Sequence, residues 1–270
     1  MIEHMFDRVN MRHDDGVQPG QDVESHLGTH LGTVRLRPLT ARSAILSMLL
    51  GAHPPSATVS EVVAFARHVG INDSAVRAAL TRMVGAGDLH RENGVYTLSD
   101  RLIDRQRRQD EAMQVPTGDW NGAWRVAAVI ATGKDPATRL HLRRSMLGAH
   151  FGELREGVWM RPDNLAWSPA PEIADDLELL RARPDRNAVG LAHELFQPQR
   201  WAATGRDLLR LADRAPTPRE RLTAFASIVR HLTHDPLLPE ALLPEDWPGG
   251  ALRRAYDAFR DEVAREWRGG

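Results

Sequence analysis

The sequence predicts an α+β chain in three parts: an N-terminal winged helix-turn-helix, a central ferredoxin-like βαββαβ domain and a C-terminal all-α domain. Three observations carry this expectation. Residues 58–98 read as two helices followed by an Asn-Gly hairpin. Residues 125–196 alternate strand-type and helix-type runs in the order β-α-β-β-α-β. Beyond residue 200 the apolar spacing is helical, interrupted by a Pro-rich loop.

Taken in order, residues 1–33 form a polar tail with six acids, two Arg and four His, and no sustained periodicity. His4, His13, His26 and His30 match no common metal-ligand spacing. A DNA-binding unit is expected over 34–99. Thr40 can cap a helix whose apolar side is Ile45, Met48 and Leu49, ending at Gly51. Pro54-Pro55 marks a loop. Thr58 to Glu61 is a capping-box pattern, Val62 to Val69 supplies an apolar face, and Gly70 is a stop residue. Asn72 can cap the next helix, which buries Val76, Leu80, Met83 and Val84. Leu89–Glu92 and Val95–Leu98 then flank Asn93-Gly94, a pair suited to a type I′ turn because both residues need positive φ.

Ser99 can cap a connecting helix over 100–113, rich in Arg, and a linker follows to residue 119. The central domain is expected over 120–198. It would contain a strand at 125–131, a helix at 136–147, short strands at 153–154 and 158–161, a helix at 172–182 and a last strand at 188–196. The C-terminal domain, 199–270, would carry helices at 200–213, from Thr217 onward, and at 251–267.

Composition sets the boundaries. With 42% apolar residues over 270 positions the chain can bury more than one core. The net charge of −1 means that nucleic-acid binding must rest on local placement of charge. From Arg35 to Met113 eleven Arg face eight acids, a mild local excess. No cysteine is present, which excludes disulfides and thiolate chemistry. No apolar run approaches the ~18 residues of a membrane span, and no signal core opens the chain, so a cytoplasmic protein without membrane contact is expected. No Gly-rich phosphate loop, nucleophile elbow or HExxH occurs, so no catalytic residue, metal or cofactor is assigned and the chain is not read as an enzyme.

The helix after Asn72 has a polar face made of Asp73, Arg77 and Thr81, with Ser74 and Arg82 beside it. An Arg there can fork onto a guanine edge and a hydroxyl can reach base or phosphate. The same face on an ordinary amphipathic helix would be merely solvated. The preceding helix, the turn and the wing favour DNA.

Five blocks resemble the PaaX family, repressors of phenylacetic acid catabolism and their relatives. They are ARSAILSMLLG at 41–51, INDSAVRAALTRMVGAGDL at 71–89, WNGAW at 120–124, GVWMRPDNL at 157–165 and DPLLPEALLPEDWPG at 235–249. The resemblance implies a homodimeric repressor that binds double-stranded operator DNA at an inverted repeat. It also implies a central domain similar to Cas2-type proteins, and release by a small aromatic catabolite or its acyl-coenzyme A thioester. On that basis Ser74, Arg77, Thr81 and Arg82 are the expected major-groove residues, and Arg42, Arg91 and Asn93 the expected phosphate contacts. Trp159, Arg161, Arg230, His231 and Trp247 are the expected effector contacts, since Arg can hold an anionic end and aromatic walls an apolar one. For Trp120, Trp124, Trp159 and Trp247 a packing role at domain junctions is the favoured reading, because large aromatics usually serve packing. Two other classes remain: a Cas2-like metal-dependent nuclease, for which only Asp135 lies near the end of the first central strand, and a winged-helix adaptor for protein partners.

Overall fold

The structure is a computed structural model and describes residues 39–114 and 119–268. The expected tail at 1–33, with its four His, and most of the linker at 114–119 lie outside the described residues. The chain is a mixed α+β structure with two antiparallel sheets.

The first unit runs α1 (Ala41–Gly51), β1 (Ser56–Thr58), α2 (Val59–His68), α3 (Asp73–Gly85), β2 (Leu89–Glu92) and β3 (Val95–Leu98). Its boundaries follow from caps. Thr40 and Thr58 each accept from the third amide of their helix while the residue at that position reaches back, and Asn72 accepts from the Ala75 amide. The hairpin turns at Asn93 (φ 49°) and Gly94 (φ 81°), both left-handed as a type I′ turn requires. The strand β1 was not expected from the sequence. It pairs antiparallel with β3, giving the order β1-β3-β2, where a loop alone was foreseen. Ile45, Leu49, Val62, Val76, Leu80, Met83, Leu89 and Leu98 form the core, each almost fully buried. Burial of such side chains contributes about 1.5–3 kcal/mol apiece.

Helix α4 (Asp100–Met113) follows. Ser99 stands at its cap position, but its hydroxyl is buried with no partner and caps nothing. The backbone carbonyl of Ser99 receives the Leu102 and Ile103 amides instead. Gln106, buried on the inner side of α4, donates to the carbonyls of Leu50 (3.1 Å) and Ala52 (2.9 Å). This satisfies orphan groups at the end of α1 and fixes the two helices together.

The central unit contains β4 (Trp124–Val129), α5 (Pro136–Gly148), β5 (Gly152–Arg155), β6 (Val158–Pro162), α6 (Pro171–Ala174), β7 (Leu177–Ala182) and α7 (Ala188–Phe196). Its sheet order is β5-β6-β4-β7, all neighbours antiparallel. Two expected elements are corrected. The helix expected at 172–182 is one short turn, α6, followed by the strand β7. The 4-and-3 spacing of Ile173, Leu177 and Leu180 imitates a helix, yet Leu180 is half-exposed while Leu177 and Leu179 face one core. The strand expected at 188–196 is the helix α7, capped by Asn187, with Leu191, Ala192 and Leu195 on its inner side. One face of the sheet packs Ala127 and Trp159 against Leu142 and Met146 of α5. The opposite face packs Trp124 and Met160 against α7 and the segment around Leu238 and Leu242.

Helices α8 (Pro198–Arg214), α9 (Pro218–Leu232) and α10 (Gly249–Arg268) complete the chain. A Pro-rich segment containing a short turn at Glu240–Leu242 joins α9 to α10. These helices dock on the first unit as well as on each other. Leu222, Phe259 and Val263 join the N-terminal core, and Arg219 donates to the Leu39 carbonyl at 2.9 Å. Among the described residues, no helix is long and apolar enough to cross a membrane.

Candidate nucleic-acid interface

Helix α3 presents two faces because its apolar residues recur at helical spacing. Val76, Ala79, Leu80 and Met83 point inward, and Ser74, Arg77, Thr81 and Arg82 point to solvent. The outward hydroxyls are already engaged locally: Ser74 donates to Asn72 Oδ1 at 2.8 Å and Thr81 to the Arg77 carbonyl at 3.0 Å. Each keeps its oxygen lone pairs for an incoming donor. Asp73 belongs to a different arrangement. Its carboxylate is held by the Arg67 guanidinium, with Arg67 Nε at 2.7 Å, and that partner keeps it below the usual carboxylate range. Asp73 is therefore neutralised across the turn between α2 and α3, and also suits the positive end of the α3 dipole. Arg77 and Arg82 have no side-chain hydrogen bond or ion pair among the described residues.

The hairpin adds two exposed residues. Arg91 lies over the Tyr96 ring, 5.7 Å from its centroid, and Asn93 sits at the turn. Arg42, the other expected phosphate contact, lies at the start of α1. It donates to the Asp88 carboxylate through Nη2 (3.0 Å) and Nε (3.3 Å), and Arg101 grips the other oxygen of Asp88. Asp88 is only 3% exposed and begins the approach to β2. Arg42 thus ties α1 to the base of the hairpin.

The five expected effector residues do not form one site. Trp159 is in the core under α5, with the Arg143 guanidinium 5.3 Å from its ring centroid. Arg161, on the same strand, is 3% exposed and donates to the Ala149 carbonyl at 2.8 Å. Burial, with Arg125 nearby, pushes its pKa down to about 10. His231 and Trp247 meet in the C-terminal helices through Trp201, whose ring stacks on both at 4.1 and 4.2 Å. His231 Nε2 lies 3.0 Å from the Trp201 carbonyl, and burial lowers its pKa to about 4. Arg230 is exposed and lines a separate cleft. Trp159 therefore packs within the central unit and Trp247 within the C-terminal helices, and Trp201, the shared partner, was missed because its apolar helix spacing marks it only as core.

That cleft, of about 1900 Å³, runs between the first unit, α4, α9 and α10. Arg42, Arg105, Arg108 and Arg230 line it together with Leu147 and Tyr256. Arg105 and Arg108 were visible in the sequence only as charges on a connecting helix. Asp135 caps α5, accepting from the Ala137 and Thr138 amides and the Thr138 hydroxyl. Among the described residues no group of three or more His, Asp or Glu is arranged to hold a metal.

Two family profiles match the chain. One, described as PaaX-like protein, spans residues 40–102, and the other, PaaX-like protein C-terminal domain, spans 189–267. No curated protein matches. Among solved structures, uncharacterized protein Rv0674 from Mycobacterium tuberculosis is 47% identical, with a TM-score of 0.76. The similarity covers 85% of this chain and 98% of that one.

Proposed function

Because the chain belongs to the PaaX-like family, we propose that it is a transcriptional regulator that binds operator DNA through α3 and the β2-β3 hairpin. The observation that carries this reading is the solvent-facing row Ser74, Arg77, Thr81 and Arg82, in which both Arg side chains are uncommitted to any ion pair among the described residues. The order helix, strand, helix, helix and hairpin supports a winged helix-turn-helix over 34–99. Arg77 and Arg82 read bases, Ser74 and Thr81 assist, and Arg91 and Asn93 hold phosphate. Arg42 acts mainly through Asp88 and less as a direct contact.

The sheet order β5-β6-β4-β7 supports a ferredoxin-like central domain over 120–198, with α7 as an added helix, and helices over 199–270 form the third part. A homodimer reading an inverted repeat fits this layout. The edge strand β7, with half-exposed Leu180, supports self-association through the central domain. The protein acts as a repressor in the cytoplasm, released by a small aromatic catabolite or its acyl-coenzyme A thioester. A Cas2-like nuclease would need Asp135 as a ligand, whereas its carboxylate is spent on capping α5.

A gel-shift series against the upstream region of its own gene tests this. Retarded bands and protection of a short inverted repeat are expected. No binding at low salt would favour an adaptor for protein partners and sink the proposal.

A further inference from the structure

In the first sheet β2 is an edge strand, paired with β3 while β1 takes the far side of β3. Along β2 only Leu89 is buried; His90, Arg91 and Glu92 are exposed. The strand that carries Arg91 is therefore held at its root and projects from there. The residue just before that root is Asp88, 3% exposed, on the approach from α3.

Four elements converge on Asp88. Its amide donates to the Met83 carbonyl of α3 at 2.9 Å, and its carbonyl accepts from the Ser99 amide, just after β3, at 2.9 Å. Its carboxylate takes Arg42 of α1 on Oδ2 and Arg101 of α4 on Oδ1. The carboxylate is buried, whereas both guanidiniums reach solvent, their side chains 45% and 68% exposed. A carboxylate that serves only its own turn accepts from adjacent amides, as Asp135 does at the start of α5. Asp88 is instead held by cations from two helices outside the hairpin. Burying its charge is costly unless such partners are present. Backbone pairing fixes β2 relative to β3; the two guanidiniums fix the root of the hairpin relative to α1 and α4.

We propose that Asp88 is a positioning residue of the DNA interface. Held from two sides by Arg42 and Arg101, it sets the pitch of the hairpin against α3. Arg91 and Asn93 then meet phosphate while Arg77 and Arg82 reach bases. This rests on the reading that α3 and the hairpin bind operator DNA. Asp88, being buried, acts through the hairpin and not on the duplex. A hairpin free to swing must be ordered on binding, and that ordering is subtracted from affinity. Arg101, on the connecting helix, takes part in DNA binding through Asp88.

The test uses the full chain, a duplex from the upstream region of its own gene and a scrambled duplex of equal length, followed by anisotropy across a salt series. Asp88→Asn keeps the shape and removes the charge. It weakens both duplexes about ten-fold, lowers the salt slope by about 1 and leaves the preference between them intact. In an Arg91→Ala/Asn93→Ala background the same change costs less than about two-fold, because no hairpin contact is left to aim. An equal loss in both backgrounds, an unchanged affinity, or a lost preference overturns the proposal. Arg101→Gln, at a mostly exposed side chain, serves where Asp88→Asn does not fold. It weakens binding about three-fold, as one of two charge-assisted partners is lost, and again only while Arg91 and Asn93 are present. No effect, or the same effect without them, overturns the proposal. Hydrogen exchange gives a second readout: in either variant the amides of β2 and β3 exchange faster and those of α3 do not. Uniform acceleration marks general loosening and overturns it. If Arg77→Ala loses the preference while Asp88→Asn behaves as wild type, the operator reading stands and this proposal falls. Wild type that binds neither duplex at low salt removes both.

Discussion

Arg253 of α10 meets Asp235, just after α9, at 2.9 Å with both side chains buried, 7% and 4% exposed. The same guanidinium donates through Nε to the Ala112 carbonyl of α4 at 3.0 Å. One side chain therefore joins the end of the connecting helix to the Pro-rich loop and the last helix. The pair also orders the loop, because Asp235 accepts from the Leu237 amide at 2.9 Å and Leu237 takes a left-handed φ of 51°.

Removing one partner strands a buried charge. Arg253→Met or Asp235→Asn is expected to cost about 3–5 kcal/mol of stability. Urea unfolding of the single variants measures this. A loss below about 1 kcal/mol would show that the pair behaves like a solvent-exposed one.

The recognition residues divide by what they touch. Arg77→Ala should cost about 1–3 kcal/mol on the cognate operator and flatten discrimination against a scrambled site. Arg91→Ala should weaken both DNAs alike and lower the salt slope by about 1. Fluorescence anisotropy across a salt series distinguishes them, and unchanged binding by the Arg77 variant would remove α3 from the interface.

His231 gives a pH dependence with a definite sign. Its folded pKa of about 4 lies below the ordinary 6.5, so the folded state disfavours the proton that the unfolded chain accepts. Stability is full above pH 6.5 and falls as the pH drops towards 4, by roughly 3 kcal/mol at most. His150, also lowered by burial and by Arg161, adds to the same trend. Unfolding of wild type and His231→Gln at stepped pH isolates the contribution of His231. Parallel curves would contradict it.

Gly152 is a close approach between β5 and α7. A Cβ built there lies 2.8 Å from Leu195 Cβ and 3.2 Å from the Leu195 carbonyl oxygen. Gly152→Ala must push α7 outward, at about 1–3 kcal/mol. Gly85 has open space around its Cβ position and serves as the control, with Gly85→Ala expected near neutral in thermal melts.

How legible each feature was depended on how local its cause is. The caps at Thr40, Thr58 and Asn72, the Asn93-Gly94 turn and the inward stripe of α3 are decided within a few residues, and the sequence alone determined them. The row Ser74, Arg77, Thr81 and Arg82 followed, since placing one helix face inward places the other outward. The three residues of β1 become a strand only because β3 offers an edge. Residues 177–182 become a strand, against their helical spacing, because β4 has a free side to pair. The effector residues scatter for the same reason: spacing along the chain says nothing of which helix packs against which. Only the tertiary structure brought Arg42 of α1 beside Asp88 and the arginines of α4, where charge and cleft coincide. Backbone hydrogen bonds within one turn are written into neighbouring residues, whereas the company a charge keeps is set by packing between elements far apart in the chain.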